Sequence, residues 1–142
     1  MASKIAVVLG GTGETGKRVI EELRNLDIIT RIDMLTRRQV ELPDGPGKEK
    51  VEQKLVDFDN IKDSKAAFAD ADIAFCCLGT TRAKAGQEGF IKVDFDYVVN
   101  SAKLLKENGK CTDFHLVSAW GKFFFFFSPS LRLLFSYLRV TI

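Results

Sequence analysis

Ile5-Ala6-Val7-Val8-Leu9-Gly10-Gly11-Thr12-Gly13-Glu14-Thr15-Gly16 joins a short apolar run to Gly10, Gly13 and Gly16, which follow one another at intervals of three. The run has no period of its own, as expected of a parallel strand buried on both faces. After it, Val19, Ile20, Leu23 and Leu26 recur at helical spacing among charged residues, which predicts a helix over 14–26. Glycines between a buried strand and an amphipathic helix have a physical reading. The first permits a tight turn, the second removes a Cβ from the path of a phosphate, and the third lets helix and strand pack closely. Helix-terminal N–H groups then face an anion. Gly10, Gly11, Thr12, Gly13, Glu14, Thr15 and Gly16 are therefore the candidate phosphate cradle. A glycine-rich turn that binds nothing is the plainer alternative.

Working outward, a second strand is expected near 30–35, where Arg31 and Asp33 alternate with Ile32 and Met34 as on an outer strand. Leu42-Pro43-Asp44-Gly45-Pro46-Gly47 is a connecting loop. A strand at 51–56, a short helix at 61–68 and an apolar strand at 73–78 follow. A helix over 87–108 closes on Gly109, and a last strand runs over 114–118. Strands alternating with helices predict an α/β fold, a Rossmann-type doubly wound parallel sheet of about five strands. Ligands then bind at the carboxyl ends of the strands.

The end of strand two sets the dinucleotide type: an acidic residue there binds a ribose 2′-hydroxyl, an arginine a 2′-phosphate. Here stand Arg37 and Arg38, which point to NADP(H). One guanidinium–phosphate contact is worth roughly 1.5 to 3 kcal/mol, on the order of a tenfold to hundredfold preference. Asp33 is the competing acidic residue, but it comes three positions before the strand end; its plain reading is a solvated edge position.

The totals exclude several classes. The 142 residues are 46% apolar and 28% charged, enough for one globular domain. A net charge of +2 with interleaved signs offers no basic stripe for direct nucleic-acid binding. Three cysteines and one histidine match neither a disulfide framework nor a zinc site, and fit a reducing, intracellular setting. The start of the chain lacks the pattern of an export signal. Cys76 and Cys77 read as packing residues, because successive strand residues face opposite ways. His115, between Phe114 and Leu116, reads as structural.

Composition changes after Lys122, where Phe123 to Phe127 precede Ser128-Pro129-Ser130. The segment from Phe123 to Ile142 has the length of a membrane span, yet holds Pro129, Arg132 and Arg139, and each central Arg costs about 3 kcal/mol to insert. As domain structure it follows no period. A third reading, a translated intron or shifted frame with pyrimidine-rich codons, is favoured; the chain then divides into an NAD(P)-binding Rossmann domain, 1–121, and an atypical tail that is not native domain sequence.

The motifs Leu9 to Gly16, Thr36-Arg37-Arg38, Val56-Asp57-Phe58, Phe75-Cys76-Cys77-Leu78-Gly79-Thr80-Thr81-Arg82 and Lys84-Ala85-Gly86 with Glu88-Gly89-Phe90 carry a resemblance. Over roughly residues 4–121 the chain resembles the atypical short-chain dehydrogenase/reductase superfamily, most closely its Tat-interacting-protein oxidoreductase branch. The resemblance implies that Asp57 and Phe58 lie beside the adenine and that Leu78, Gly79 and Thr80 form the loop over the cofactor's riboses. Val93-Asp94 falls where relatives often have Val-Asn. It further implies a serine at the end of strand five, here Ser118, followed by a Tyr-x-x-x-Lys proton-donor pair. Ala119 replaces a second serine, Thr141 stands four residues after Tyr137, and Tyr97 belongs to the preceding helix.

The expected function is thus the NADP(H)-binding portion of a short-chain dehydrogenase/reductase-like oxidoreductase, C-terminally incomplete, with little or no turnover. The rival is a non-enzymatic NADPH-sensing protein; the resemblance implies roles in transcriptional regulation, apoptosis and nuclear import, with such factors as protein partners. A cytoplasmic location is expected, extending to the nucleus or nuclear envelope, and a membrane-tethered variant is the least favoured reading.

Overall fold

The computed structural model describes residues 2–80 and 82–117. The predicted features from Ser118 onward, including the tail 122–142, lie outside the described residues, as does Thr81.

Strand β1 is Lys4–Leu9, followed by helix α1, Glu14–Arg24, and strand β2, Ile29–Thr36. A 3₁₀ turn at Lys48–Lys50 leads into β3, Val51–Leu55; 3₁₀ turns over Phe58–Phe68 lead into β4, Ile73–Cys76. Helix α2 spans Arg82–Ile91, a π-helical turn spans Lys92–Asp96, and α3 spans Tyr97–Asn108 before β5, Asp113–Leu116. The five strands form one sheet in the order β3-β2-β1-β4-β5, and every pairing is parallel. The expected α/β sheet is therefore present.

Each face of the sheet has its own core. Ala6, Val8, Ile32 and Met34 pack with Ile20 and Leu23 of α1 on one side. Val7, Leu9, Leu35, Ala74 and Cys76 pack on the other with Phe68, Val98, Leu104 and Leu105. Consecutive β1 residues thus enter opposite cores, which is why the run Ile5 to Leu9 shows no alternation.

Several details differ from the sequence expectation. Helix α1 stops at Arg24, because the next N–H groups turn back three residues: Asn25 donates to Glu22 and Leu26 to Leu23. Leu26 is consequently outside the helix and exposed. Strand β2 is not an outer strand, since it lies between β1 and β3. Nor is Asp33 solvated: it is fully buried, accepting from Arg31 Nη2 at 3.0 Å and from Lys54 Nζ at 2.7 Å. Two cations compensate a desolvated carboxylate that would otherwise be costly to bury. The predicted helix 87–108 is observed, but it starts earlier, at Arg82, is broken at Gly86 (φ +72°, ψ 176°), and widens at Lys92–Asp96. Gly109 ends it in the left-handed conformation (φ +69°), as its glycine suggests.

The connection through Pro43 and Pro46 is pinned by one buried side chain. Arg24 donates to the carbonyls of Pro46 (2.8 Å), Gly45 (2.6 Å) and Pro43 (3.3 Å), holding the loop against the end of α1. Hydrogen bonds from a charged donor are individually worth about 1.5 to 3 kcal/mol. Arg24→Met, which keeps much of the packing, is expected to lower unfolding stability by about 2 kcal/mol in urea titration and to speed proteolytic nicking in the 43–47 loop. Unchanged stability and cleavage would contradict this role.

Candidate functional site

The direction of chain progress reverses at β1, which is flanked by β2 on one side and β4 on the other. Such a reversal opens a crevice beyond the carboxyl ends of the two central strands. The loops that border it are the glycine turn after β1 and Leu78-Gly79-Thr80 after β4.

These loops touch through a missing side chain. Gly10 has φ +75°, and a Cβ there would lie 2.6 Å from the carbonyl carbon and oxygen of Cys77. At Gly16 a Cβ would overlap the carbonyl oxygen of Gly10, so the first turn of α1 sits directly on the loop. Gly11 faces inward, where a Cβ would come within 2.8 Å of Ile20 Cδ1. Gly13 is different: a Cβ would meet no neighbour closer than the Gly10 carbonyl oxygen at 3.6 Å, and its backbone (φ −78°, ψ 168°) suits any residue. The space before Gly13 is the open side of the cradle. Gly13 caps α1 without a side-chain hydrogen bond, and the N–H groups at a helix start have no carbonyl four residues back to bond. A partial positive charge therefore faces the crevice, as phosphate binding requires. Thr12 and Thr15 are exposed beside it. The Glu14 carboxylate is 98% exposed and 3.9 Å from Lys17, so its contribution to an anion site is the backbone N–H.

Beyond β2, Arg37 and Arg38 are both exposed, and neither has an ion-pair partner among the described residues. Immediately before them, Thr36 is 5% exposed, and its buried Oγ1 has no hydrogen-bond partner among the described residues. An orphaned hydroxyl at the strand end, an open helix start and a cradle that a side chain at Gly13 would fill all fit a dinucleotide.

Asp57 is exposed at the exit of β3; it accepts from the Asp59 N–H and from Asn60 Nδ2, both at 2.9 Å. The Asn60 amide and the Asp59 N–H hold its carboxyl below the usual range. Phe58 is buried in the core with its ring stacked on Tyr97, centroids 5.4 Å apart. The Thr80 N–H donates to Asp94 Oδ2 at 3.0 Å, which ties the loop after β4 to the helical turn beyond it. Sequence reading noted Asp94 for its place beside Val93, without this role. It quoted Thr36 only as part of the Thr36-Arg37-Arg38 motif, without its buried hydroxyl, and missed Asp59 and Lys92; the one available signal was that Asp59 shares a turn with Asp57.

Burial pushes the Cys76 thiol up to about 12 and the Cys77 thiol up to about 11, far from the thiolate that reactivity needs. Cys76 is a core residue, as expected. His115 stacks on Phe75 with centroids 5.1 Å apart, and burial lowers its pKa, a structural placement. Ser118 lies outside the described residues.

Comparison with known proteins agrees with this geometry. A family model described as NAD(P)H-binding matches residues 10–134. Protein HTATIP2 of Rattus norvegicus is 40% identical over 121 residues, covering 85% of this chain and 49% of the rat protein. The Candida albicans protein "FMP52, mitochondrial" is 36% identical over 106 residues, covering 72% of this chain and 45% of that protein. The chain thus spans about half the length of the curated relatives it matches. Among solved structures, uronate dehydrogenase from Agrobacterium tumefaciens superposes with a TM-score of 0.62 at 20% identity, over 80% of this chain and 41% of the enzyme. A mutant of that enzyme complexed with NAD gives 0.60 at 21% identity, over 80% and 40%. These two structures share the fold.

The glycines separate binding from folding. Gly13→Val is expected to keep the circular dichroism and melting temperature of the parent while dinucleotide affinity falls at least about tenfold, since its side chain enters open space. Gly16→Val should instead destabilise the fold by about 2 kcal/mol or more, because the overlap is with backbone. Undiminished binding by Gly13→Val would contradict the placement of the cradle.

Proposed function

Because this chain belongs to the NAD(P)H-binding family, we propose that its crevice takes NADP(H) in preference to NAD(H). The observation that carries the preference is the division of charge along β2. Its one carboxylate, Asp33, is buried between Arg31 and Lys54, while Arg37 and Arg38 stand exposed past the strand end. An acidic group that could accept ribose hydroxyls is therefore engaged elsewhere, and two guanidinium groups are offered to a 2′-phosphate. In this assignment Glu14, Thr15 and Gly16 hold the pyrophosphate by their N–H groups, with Gly10, Gly11, Thr12 and Gly13 shaping the turn, the Gly13 N–H donating to the Gly10 carbonyl at 3.2 Å. Asp57 and the Phe58 backbone border the adenine, and Leu78, Gly79 and Thr80 border the riboses.

A nicotinamide dinucleotide supplies hydride transfer when bound, and the reading places this chain as the cofactor-binding portion of a short-chain dehydrogenase/reductase-like oxidoreductase. The chain's own residues bind and orient, but a proton donor of the Tyr-x-x-x-Lys type is missing from its sequence: Ser101 stands four residues after Tyr97, and Thr141 four after Tyr137. Little or no turnover of carbonyl substrates by these 142 residues follows. The same observation favours, as a second reading, a protein whose NADPH occupancy controls binding to another protein.

Titration of the purified chain by nucleotide fluorescence tests the preference. NADPH is expected to bind about tenfold to a hundredfold more tightly than NADH, and Arg37→Ala with Arg38→Ala should bring the two near parity. Equal affinities in the parent protein, or no saturable binding, would overturn the reading.

A further inference from the structure

A second charged cluster lies beside the arginines at the same sheet edge. The Asp59 carboxylate accepts from the Tyr97 hydroxyl at 2.8 Å and pairs with Lys92 Nζ at 2.6 Å. The Lys92 ammonium also sits 5.9 Å from the centroid of the Tyr97 ring. Asp59 comes from the turns after β3, whereas Lys92 and Tyr97 come from the helical segment after β4. The cluster thus joins the segments that follow β3 and β4.

Strand register brings it next to Arg37. Thr36 pairs with Leu55, and the Val56 N–H donates to the Thr36 carbonyl at 2.9 Å. Arg37-Arg38 and Asp57-Phe58-Asp59 therefore leave neighbouring parallel strands side by side. The electrostatics agree: hydrogen bonds from Lys92 and Tyr97 hold the Asp59 carboxyl below its usual range, and the positive charge of Arg37 contributes in the same direction, more weakly.

We propose that Lys92 is a specificity-determining residue, which by pairing with Asp59 keeps that carboxylate from engaging Arg37 and so leaves Arg37 for a 2′-phosphate. The inference rests on the NADP(H) reading above. Two cations compete for one carboxylate. With Lys92 in place, Asp59 has a short ionic partner and a phenolic donor, and an exposed guanidinium gains little by joining them. Without Lys92, Arg37 is a cation whose field Asp59 still feels, and a carboxylate matches a guanidinium in the same forked geometry that a phosphate would. A carboxylate stripped of its counter-charge also repels the incoming phosphate directly. Lys92 and Asp59 are each 51% exposed, so solvent screens the pair and the effect is modest and salt-dependent.

Calorimetric titration of the 142-residue chain with NADPH and NADH tests this, NADH serving as the ligand without a 2′-phosphate. Lys92→Met is expected to reduce the NADPH-to-NADH affinity ratio about threefold to fivefold at low salt, with the loss shrinking as salt rises. Lys92→Arg should keep the ratio, and Asp59→Asn added to Lys92→Met should restore it. In an Arg37→Ala background the Lys92→Met effect should shrink to the direct carboxylate–phosphate repulsion that remains, whereas a merely structural contribution of Lys92 would persist in full. Equal losses for both nucleotides, the same loss in the Arg37→Ala background, or no restoration by Asp59→Asn would overturn the assignment. A parent ratio that Arg37→Ala and Arg38→Ala leave unchanged would instead remove the NADP(H) reading itself, and the assignment with it.

Discussion

The volume of a single methyl group governs this structure. At Gly10 it would collide with the peptide carbonyl of Cys77, and at Gly16 with the carbonyl of Gly10. Leaving both out lets the exits of β1 and β4 and the start of α1 converge on one point, something no rearrangement of flexible side chains could achieve, because every clashing atom is backbone. Convergence has two results. It brings an uncapped helix start to the mouth of the crevice, and it sets the loop 78–80 within reach of the same space. Gly13, which presses on nothing, is then the position where the absence of a side chain leaves space open rather than closing a contact.

Charge is distributed on a similar principle. Strand β2 and the two residues after it carry a carboxylate, Asp33, and two guanidinium groups, Arg37 and Arg38, within six residues, and their fates differ by position. Asp33 faces the core that holds Leu35 and Phe68, where only the two cations beside it make burial tolerable. Past Thr36 the chain leaves the sheet, and Arg37 and Arg38 reach solvent without partners among the described residues. The strand end thereby presents positive charge at the place where a ribose would lie. Asp59, one strand over, is the countervailing group, and it is already engaged by Lys92 and Tyr97.

Much of this was legible in the sequence because it follows from local rules. The run Ile5 to Leu9 had to be buried on both faces, and Gly10 to Gly16 had to turn tightly into a helix; both are as expected. What was not legible depends on which strands become neighbours. Alternation around Asp33 looked like an outer strand, but Lys54, 21 residues later, arrives on β3 to cover it. Asp59 meets Lys92 and Tyr97 only because α3 packs against the turns after β3, a contact no spacing announces. Phe58 drew attention as a partner for adenine, whereas its ring is held in the core by Tyr97.

The central claim is that a dinucleotide sits between the glycine turn and the exits of β2, β3 and β4. The most direct measurement is the perturbation of backbone amide resonances on adding NADPH to the isotopically labelled chain. Saturable shifts are expected to concentrate at Gly13 to Gly16, at Arg37 and Arg38, at Asp57 and Phe58 and at Leu78 to Thr80, with the α1 start moving most. Shifts confined to another surface, such as the exposed stretch around Ala85 to Ile91, or no shift at saturating nucleotide, would contradict it.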